Sequence, residues 1–260
     1  MPPSSLQHRI AVVTGGESGI GAACVAALAA AGADVGIFYL KDREAAESGV
    51  RAVEALGGRG VAVQVDVAEE ASVEAGFDAV EKALGVPDIL VNSAGLNMSG
   101  VKVAEMELAQ WHRLLATDLT GSFLTCRRFV RDLQPTGRAG AIVNITSIHA
   151  FAMRSGGADY DAAKGGQCNL TRTLAIEVAG RGITVNAIAP GMILTPMNHQ
   201  AMDDSAYREK LERNIPAGRA GRPDEVAGLA VFLASPAGAY ITGAEIVMDG
   251  GLSLLQATGA

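Results

Sequence analysis

The sequence predicts an α/β fold in which a doubly wound parallel sheet of about seven strands is flanked by helices. Short β-branched runs alternate with longer Ala/Leu/Glu/Arg stretches along the whole chain. Most of the β-branched runs are continuous rather than alternating in polarity, as in strands that are buried on both faces. No Pro- or Ser-rich linker interrupts the alternation, so we expect residues 1–260 to form a single domain.

Each predicted strand is followed by a turn containing Gly, Asp or Asn and then by a helical stretch. The strands are expected at Ile10–Val13, Val35–Tyr39, Val61–Val65, Ile89–Asn92, Ala141–Ile145, Ile183–Ile188 and Glu245–Met248. The helices are expected at Gly19–Ala31, Arg43–Leu56, Glu69–Leu84, Leu108–Asp132, Asp159–Ala179 and Pro223–Leu233. This order is typical of βαβ units, whose strands lie parallel.

One long stretch, residues 190–216, shows no comparable pattern and is expected to be irregular. It contains Met192, Met197, Met202 and Tyr207. It is interpreted either as a mobile lid over a site or as a surface excursion, and the residues do not choose between the two.

Composition and charge exclude several classes of protein. The chain has 28 acidic and 21 basic residues, a net charge of −7, and its basic residues are scattered, which argues against binding to nucleic acid or to an anionic membrane. Cys24, Cys126 and Cys168 stand singly, without the spacing of a disulfide framework or a metal site. The first nine residues lack a signal-peptide pattern, and the apolar run Ala22–Ala33 is too short to span a bilayer, so we expect a cytoplasmic protein.

A glycine cluster follows the first predicted strand and leads directly into a helix. Gly15 permits a sharp turn, Gly19 lets the backbone approach a diphosphate, and Gly21 lets the helix pack closely on the strand. The spacing Gly-x-x-x-Gly-x-Gly differs from the Gly-x-Gly-x-x-Gly of long-chain dehydrogenases. Ordinary turn chemistry is the alternative interpretation.

Further polar residues follow the later strands. Asp66 and Val67 follow the third strand and the segment 92–95 follows the fourth, although a helix cap and an ordinary turn would look the same. Tyr160 and Lys164 lie four residues apart, so they share one helix face, where an ammonium group can stabilise a phenolate. Such a pair also occurs by chance in many helices.

Taken together, these motifs resemble the short-chain dehydrogenase/reductase family over nearly the whole chain, from Ile10 to about Leu252. The matching motifs are Thr14–Gly21, Asp66, Asn92–Gly95, Ser147/Tyr160/Lys164, Asn186, Pro190-Gly191 with Thr195, and the closing Tyr240–Gly243 and Asp249–Gly251. The resemblance implies a Rossmann-type fold and interconversion of an alcohol and a carbonyl compound with a nicotinamide cofactor. It makes Tyr160 the general acid or base, Ser147 the donor to the carbonyl oxygen, and Lys164 the partner of both Tyr160 and the nicotinamide ribose.

The same resemblance implies which residues contact the cofactor. Asn92 and Asp66 would line the adenine side, and Thr195 with the backbone around Ile193 would hold the carboxamide. The full set is Gly15, Ser18, Gly19, Ile20, Gly21, Tyr39, Leu40, Lys41, Asp66, Val67, Asn92, Ala94, Gly95, Tyr160, Lys164, Pro190, Gly191, Ile193 and Thr195.

Asp118 is a departure from the family pattern, because it occupies the place of the family's fourth catalytic residue, usually an Asn. In the family that residue distorts its helix so that a main-chain carbonyl can hold a water molecule. Asp can perform this task too, since both side chains bond to nearby backbone. Its carboxylate would add charge near Lys164, and a solvated helix residue is the alternative interpretation.

For the cofactor, the residues at the end of the second strand favour NADP(H). NAD-selective members usually carry an acidic residue at this point, and here Tyr39 stands there. Lys41 and Arg43 could meet a 2′-phosphate, whereas Glu17 adds an unhelpful charge. Use of NAD(H), or of both cofactors, is the alternative.

For the substrate, two resemblances compete. The residues around Ser147 and Thr195 look like those of bacterial glucose 1-dehydrogenases, while the overall chain is also similar to 3-oxoacyl-carrier-protein reductases. His149 could bond a sugar hydroxyl or be a surface residue. The substrate contacts are predicted to be Ser147, His149, Tyr160, Asn97 and Met192, with Phe151, Met153, Met192 and Met197 making the pocket partly apolar.

Three further expectations concern catalysis, subunit assembly and metal binding. A non-catalytic dinucleotide-binding regulator on the same fold would be expected to lose Tyr160 or Lys164, and both are present. The helices Leu108–Asp132 and Asp159–Ala179 carry apolar residues on more than one face, and the family resemblance implies a homotetramer. No metal ion is expected.

Overall fold

A computed structural model describes residues 5–257, in which seven parallel strands form one sheet in the order β3-β2-β1-β4-β5-β6-β7. The strands are β1 (Ile10–Thr14), β2 (Asp34–Tyr39), β3 (Gly60–Gln64), β4 (Ile89–Asn92), β5 (Gly140–Ile145), β6 (Ile183–Pro190) and β7 (Glu245–Met248). The predicted doubly wound α/β fold is confirmed. All seven predicted strands are present, and the largest difference is that β6 runs on to Pro190.

Helices cover both faces of the sheet. They are α1 (Gly19–Ala30), α2 (Arg43–Ala55), α3 (Glu70–Ala83), α4 (Leu108–Leu115), α5 (Gly121–Leu133), α6 (Ala158–Val178), α7 (His199–Asp203), α8 (Ser205–Glu212) and α9 (Pro223–Ala234). None of the helices within residues 5–257 has the length and apolar character that crossing a bilayer requires.

The sheet separates two apolar cores, which explains the continuous hydrophobic runs of the strands. On one face, Val13 and Ile37 pack in the cluster that contains Leu28 of α1. On the other face, Val12 and Phe38 pack in the cluster that contains Phe77 of α3. Neighbouring strand residues therefore point into opposite cores, and both must be apolar.

The predicted helix Leu108–Asp132 is not continuous. A π-helical turn, Ala116–Thr120, separates α4 from α5, and Asp118 lies at its centre. The Asp118 side chain points inward and accepts a hydrogen bond from the backbone N–H of Leu96 at 2.8 Å. The expected distortion by Asp118 is therefore present, whereas the expectation of one regular helix was wrong because periodicity does not detect a π-helical turn.

The expectation that residues 190–216 are irregular was also wrong. This segment forms a short 3₁₀ turn (Pro196–Asn198) followed by α7 and α8. The Asp204 carboxylate caps α8 by accepting the Tyr207 N–H at 3.0 Å. These helices are short, so their apolar positions form no visible repeat in the sequence.

The position of the site follows from the strand order. β1 pairs with β2 on one side and with β4 on the other, so the chain reverses direction across the sheet at this point. In open parallel sheets a crevice forms there, outside the carboxyl ends of the strands.

Candidate active site

A cavity of about 1110 Å³ opens at the carboxyl ends of the strands, on the switch point of the sheet. All the predicted catalytic, cofactor-binding and substrate-contacting residues line this cavity except Gly21 and Asn92, whereas two of the predicted apolar pocket residues do not. Those that line it are Gly15, Ser18, Gly19, Ile20, Tyr39, Leu40, Lys41, Asp66, Val67, Ala94, Gly95, Asn97, Asp118, Ser147, His149, Tyr160, Lys164, Pro190, Gly191, Met192, Ile193 and Thr195.

Glycines shape one wall of the cavity. Gly15 has a φ of +62° and Gly19 a φ of +53°, which favour glycine. A Cβ atom on Gly15 would lie 2.9 Å from Ala94 Cα, so the loop after β1 touches the loop after β4. A Cβ atom on Gly21 would lie 2.1 Å from the Gly15 carbonyl oxygen. Gly21 does not line the cavity, and it lets the first turn of α1 pack closely on the loop after β1, whereas the prediction was close packing on the strand itself.

Asn92 does not line the cavity, in contrast to the prediction that it forms part of the adenine side. Its side chain is buried, donates to Asn144 Oδ1 at 2.9 Å and accepts from Thr125 Oγ1 at 2.7 Å. Asn144 in turn donates to Thr171 Oγ1 at 2.8 Å. Buried amide groups need hydrogen-bond partners inside the protein. Here those partners link β4 and β5 to α5 and α6.

Tyr160 and Lys164 lie on one face of α6, as their spacing predicts. The Lys164 Nζ atom is 5.4 Å from the centroid of the Tyr160 ring. It donates to the Ile145 carbonyl oxygen at 3.2 Å and to Gln167 Oε1 at 3.4 Å. Ser147 stands at the end of β5 on the same cavity. The Lys164 ammonium, the Tyr160 phenol and the Ser147 hydroxyl therefore line the same cavity.

Asp118 forms a buried ion pair with Lys164. Its Oδ2 atom lies 3.2 Å from Lys164 Nζ, and the side chains of both residues are almost wholly buried. Burial raises the pKa of the Asp118 carboxyl, and the Lys164 charge opposes this increase. Burial lowers the pKa of Lys164, but the charges of Asp118 and Tyr160 outweigh that effect and leave it raised. Lys164 is therefore held in its protonated form.

Two partners of this pair were missed by the sequence analysis. Gln167 accepts from Lys164 and donates to Ser122 Oγ at 2.7 Å, and Ser122 donates to the Asp118 carbonyl oxygen at 3.1 Å. Gln167 lies three residues after Lys164, so the helical repeat could have indicated it. Gly95 leaves room for the Asp118 carboxylate, since a Cβ atom there would lie 2.8 Å from Asp118 Oδ2.

His149 lies beside Tyr160, with ring centroids 6.0 Å apart. Its Nδ1 donates to the Ala152 carbonyl oxygen at 2.7 Å, which in a neutral ring leaves Nε2 as an acceptor. Asp161, which the sequence analysis missed, places Oδ1 3.7 Å from the same Nδ1. Burial is the main cause of the raised pKa of Asp161.

Two of the four predicted apolar side chains line the cavity. Met192 and Met197 line it, but Phe151 and Met153 do not. Phe151 and Met153 follow the 3₁₀ turn Ile148–Ala150, and they are 44% and 64% exposed.

Charged groups surround the end of β2. Lys41 lines the cavity, while Arg43 does not and is paired with Glu47 at 2.7 Å. Glu17 also lines the cavity, and its carboxylate accepts the Leu40 N–H at 3.0 Å. Across residues 5–257, no group of three or more His, Cys, Asp or Glu side chains is arranged to hold a metal ion.

A glycine loop at the switch point of a doubly wound sheet, with tyrosine, lysine and serine on the same crevice, defines a nucleotide-dependent dehydrogenase or reductase. The family model described as enoyl-(acyl carrier protein) reductase matches residues 15–253. The chain belongs to the short-chain dehydrogenase/reductase family and is an oxidoreductase.

Relatives with different activities support this assignment. The chain is 41% identical to 3beta-hydroxysteroid dehydrogenase 1 of Eggerthella lenta over 249 residues, 96% of this chain and 95% of that protein. It is 39% identical to a 3-oxoacyl-[acyl-carrier-protein] reductase of Synechocystis, covering 96% and 98% of the two chains. Glucose 1-dehydrogenase 2 of Bacillus subtilis is 34% identical, with 96% of each chain covered. Both resemblances named from the sequence are thus confirmed as relatives.

Solved structures share the fold. A candidate gluconate dehydrogenase of Agrobacterium tumefaciens has a TM-score of 0.91 at 36% identity and covers 97% of this chain and 99% of its own. A candidate 2-deoxy-D-gluconate 3-dehydrogenase from the same organism, solved with bound NADP, has a TM-score of 0.88 at 37% identity, with 97% and 99% covered.

Proposed function

We propose that this oxidoreductase interconverts a secondary or primary alcohol and the corresponding ketone or aldehyde, with Tyr160 as general acid or base. The observation that carries the proposal is the convergence of Tyr160, Lys164 and Ser147 on one cavity, with Lys164 Nζ 5.4 Å from the Tyr160 ring. In the reductive direction Tyr160 donates its hydroxyl proton to the carbonyl oxygen. The Ser147 hydroxyl donates a hydrogen bond to the same oxygen, and the protonated Lys164 stabilises the phenolate that remains.

The residues present fit a nicotinamide dinucleotide, which supplies or accepts the hydride when bound. Gly15 and Gly19 have positive φ angles and no Cβ atoms. A diphosphate can therefore approach the backbone N–H groups at the start of α1. We assign Asp66 and Val67 to the adenine side and Ile193 and Thr195 to the carboxamide side, in agreement with their lining of one continuous cavity.

The choice between NADP(H) and NAD(H) depends on two opposite charges at the end of β2. Lys41 favours the 2′-phosphate of NADP(H), as the sequence analysis expected, and one structural neighbour was solved with NADP. Glu17 on the same wall acts against that phosphate.

We propose that Asp118 holds Lys164 protonated and keeps the π-helical turn in place, while taking no part in proton transfer itself. Its two oxygens are engaged by the Leu96 N–H and by Lys164, and its side chain is fully buried. A carboxylate in this position can orient an ammonium group without contacting the substrate.

For the substrate we propose a polyhydroxylated alcohol, in the manner of a glucose 1-dehydrogenase. Support comes from His149, whose Nε2 can form a hydrogen bond with a second hydroxyl beside Tyr160, with Asn97 on the same cavity. The alternative is a reductase of 3-oxoacyl thioesters, which Met192 and Met197 favour because they add apolar surface.

The test is turnover of sugars, polyols and β-ketoesters with each of the two dinucleotides. We expect oxidation of at least one polyol to exceed reduction of every β-ketoester in kcat/KM. The opposite ranking would favour the acyl reductase. Binding of dinucleotide without turnover of any substrate would favour the non-catalytic regulator, which the intact Tyr160–Lys164 pair argues against.

We also propose a cytoplasmic homotetramer. Cys24, Cys126 and Cys168 are all free and buried, which suits a reducing compartment. Phe123 on α5 is 44% exposed and Ile176 on α6 is 83% exposed, so both helices present apolar side chains that subunit association would bury.

A further inference from the structure

We propose that Glu17 receives the hydroxyl groups of the adenosine ribose and excludes a 2′-phosphate, so that this protein binds NAD(H) in preference to NADP(H). The inference rests on the proposed dinucleotide-dependent function. It departs from the expectation drawn from Tyr39 and Lys41, because it assigns the role of the missing β2 carboxylate to a residue of the glycine loop.

The Glu17 carboxylate is held at the end of β2 although it belongs to the loop after β1. Its Oε1 atom accepts the Leu40 N–H at 3.0 Å, a contact between residues 23 positions apart. The Gly16 N–H donates to the Phe38 carbonyl oxygen at 3.0 Å and holds the loop against the same strand. The carboxylate therefore lies where an acidic residue at the end of β2 would lie.

The carboxylate has unused acceptor capacity. Glu17 Oε2 is buried and has no hydrogen-bond partner within the described part of the chain. A buried acceptor without a partner is costly, so it marks a position that a donor can fill. Glu17 lines the cavity, so a turn of its side-chain torsions toward the cavity presents the carboxylate to a ribose hydroxyl.

The negative charge of Glu17 is also unneutralised. Among residues 5–257, no Lys, Arg or His nitrogen lies within ion-pair distance of its carboxylate. Lys41 lines the same wall without forming an ion pair, and Arg43 is engaged by Glu47. A ribose diol offers two donors to this carboxylate, whereas a 2′-phosphate brings a charge of about −1.5 to −2 beside it.

The experiment is isothermal titration calorimetry of NAD⁺ and NADP⁺ on the full chain and on its Glu17→Gln variant. The substitution keeps an acceptor for the Leu40 N–H and removes the charge. We expect the wild type to bind NAD⁺ at least about tenfold more tightly than NADP⁺, because the 2′-phosphate would place a like charge beside the Glu17 carboxylate. The variant should bind NADP⁺ about tenfold more tightly than the wild type does and NAD⁺ several-fold more weakly.

Adenosine fragments isolate the relevant end of the cofactor. 5′-AMP and adenosine 2′,5′-bisphosphate lack the nicotinamide, so their affinity ratio is independent of the reacting groups. We expect the ratio to favour 5′-AMP in the wild type and to reverse or vanish in the Glu17→Gln variant. Glu54→Gln, an exposed change on α2 away from the cavity, is the matched control and should leave both ratios unchanged.

The wild-type ratios decide the proposal even if the variant does not fold. A wild type that prefers NADP⁺, or a folded Glu17→Gln variant whose ratios stay within twofold of the wild type, would overturn it. The proposed function fails differently, through the absence of turnover with every substrate while NAD⁺ still binds. Failure of both dinucleotides to bind would overturn both proposals.

Discussion

Tyr160 and the groups around it set the chemistry at the scale of single residues. Tyr160 lines the cavity and is only partly buried, while Lys164 below its ring is buried and held protonated by Asp118. Tyr160 can donate its proton to the substrate, and the fixed charge of Lys164 supports it. This arrangement is suited to general acid–base chemistry. Each of the three side chains therefore has a separable role that a conservative substitution can test.

Tyr160→Phe is expected to reduce kcat by roughly 10²- to 10⁴-fold, because it removes only the transferable proton. The ring and its contact with Lys164 remain, so dinucleotide affinity should stay within about threefold of the wild type. Steady-state kinetics and calorimetric titration measure the two effects. A variant with wild-type kcat would remove Tyr160 from the proposed mechanism.

Asp118→Asn is expected to keep kcat near neutral pH within about threefold, a barrier change of roughly 0.65 kcal/mol, because the two side chains are nearly isosteric. Its effect should appear in the pH dependence. Since the Asp118 charge raises the pKa of Lys164, neutralising it should lower that pKa and move the alkaline limb of the pH–rate profile to lower pH. A loss of kcat far beyond threefold, with the fold intact, would show that the carboxylate acts directly.

Lys164→Met is expected to reduce both turnover and dinucleotide affinity, and to destabilise the fold by about 3–5 kcal/mol, because it leaves the Asp118 carboxylate buried and unpaired. Urea unfolding measures the stability change. The double variant with Asp118→Asn should recover much of the lost stability and none of the lost turnover. Equal stability of the single and double variants would mean that the ion pair contributes little.

At the scale of elements, the turns after the strands place the side chains of the cavity. The turn after β7 is one example, since the Asp249 carboxylate accepts the N–H groups of Gly251 at 2.8 Å and Ser253 at 2.7 Å. Gly191, on the cavity wall, packs against this turn so closely that a Cβ atom would lie 2.7 Å from Asp249 Cβ. The folded turn after β7 therefore determines where the backbone of the β6 loop lies.

This turn gives a prediction about stability and pH. Burial acts to raise the pKa of Asp249, but the hydrogen bonds from Ser253 and Gly251 outweigh it and lower the pKa. A lowered pKa means that the ionised carboxylate stabilises the folded state above about pH 4, and that this contribution is lost as the pH falls through the lowered value. Asp249→Asn should therefore lower Tm at pH 7, and the difference from the wild type should shrink steadily on acidification. A difference that is constant from pH 7 to pH 3 would contradict this account.

At the scale of the whole molecule, the two apolar cores account for nearly all the large hydrophobic side chains of the strands, whereas α5 and α6 keep apolar side chains on their outer surface.

Light scattering is expected to give the mass of a tetramer. Ile176→Asp should reduce that mass, because it places a charge on a face that association would bury. The control is Glu177→Gln, which changes a neighbouring side chain without adding a charge. A wild type that stays monomeric over a wide concentration range would exclude the tetramer.

The sequence by itself determined the features that are local to one element. The strands, most helices and the glycine loop were predicted because burial on both faces, the helical repeat and turn chemistry act within a few residues. The shared face of Tyr160 and Lys164 followed in the same way from a spacing of four.

Only the tertiary structure decided the contacts that join separate loops. The family resemblance had already indicated a carboxylate near Lys164, and the structure added the 3.2 Å contact of Asp118 with it. The bond from the Leu40 N–H to Glu17 and the inward direction of Asn92 were not expected, and each connects residues more than 20 positions apart. The partners of Glu17 and Asn92 depend on which strand ends become neighbours, and that is set by the strand order β2-β1-β4-β5. Because such long-range contacts leave no periodic signal, residue type and spacing could identify the family chemistry of the site but not the electrostatic partners that adjust it.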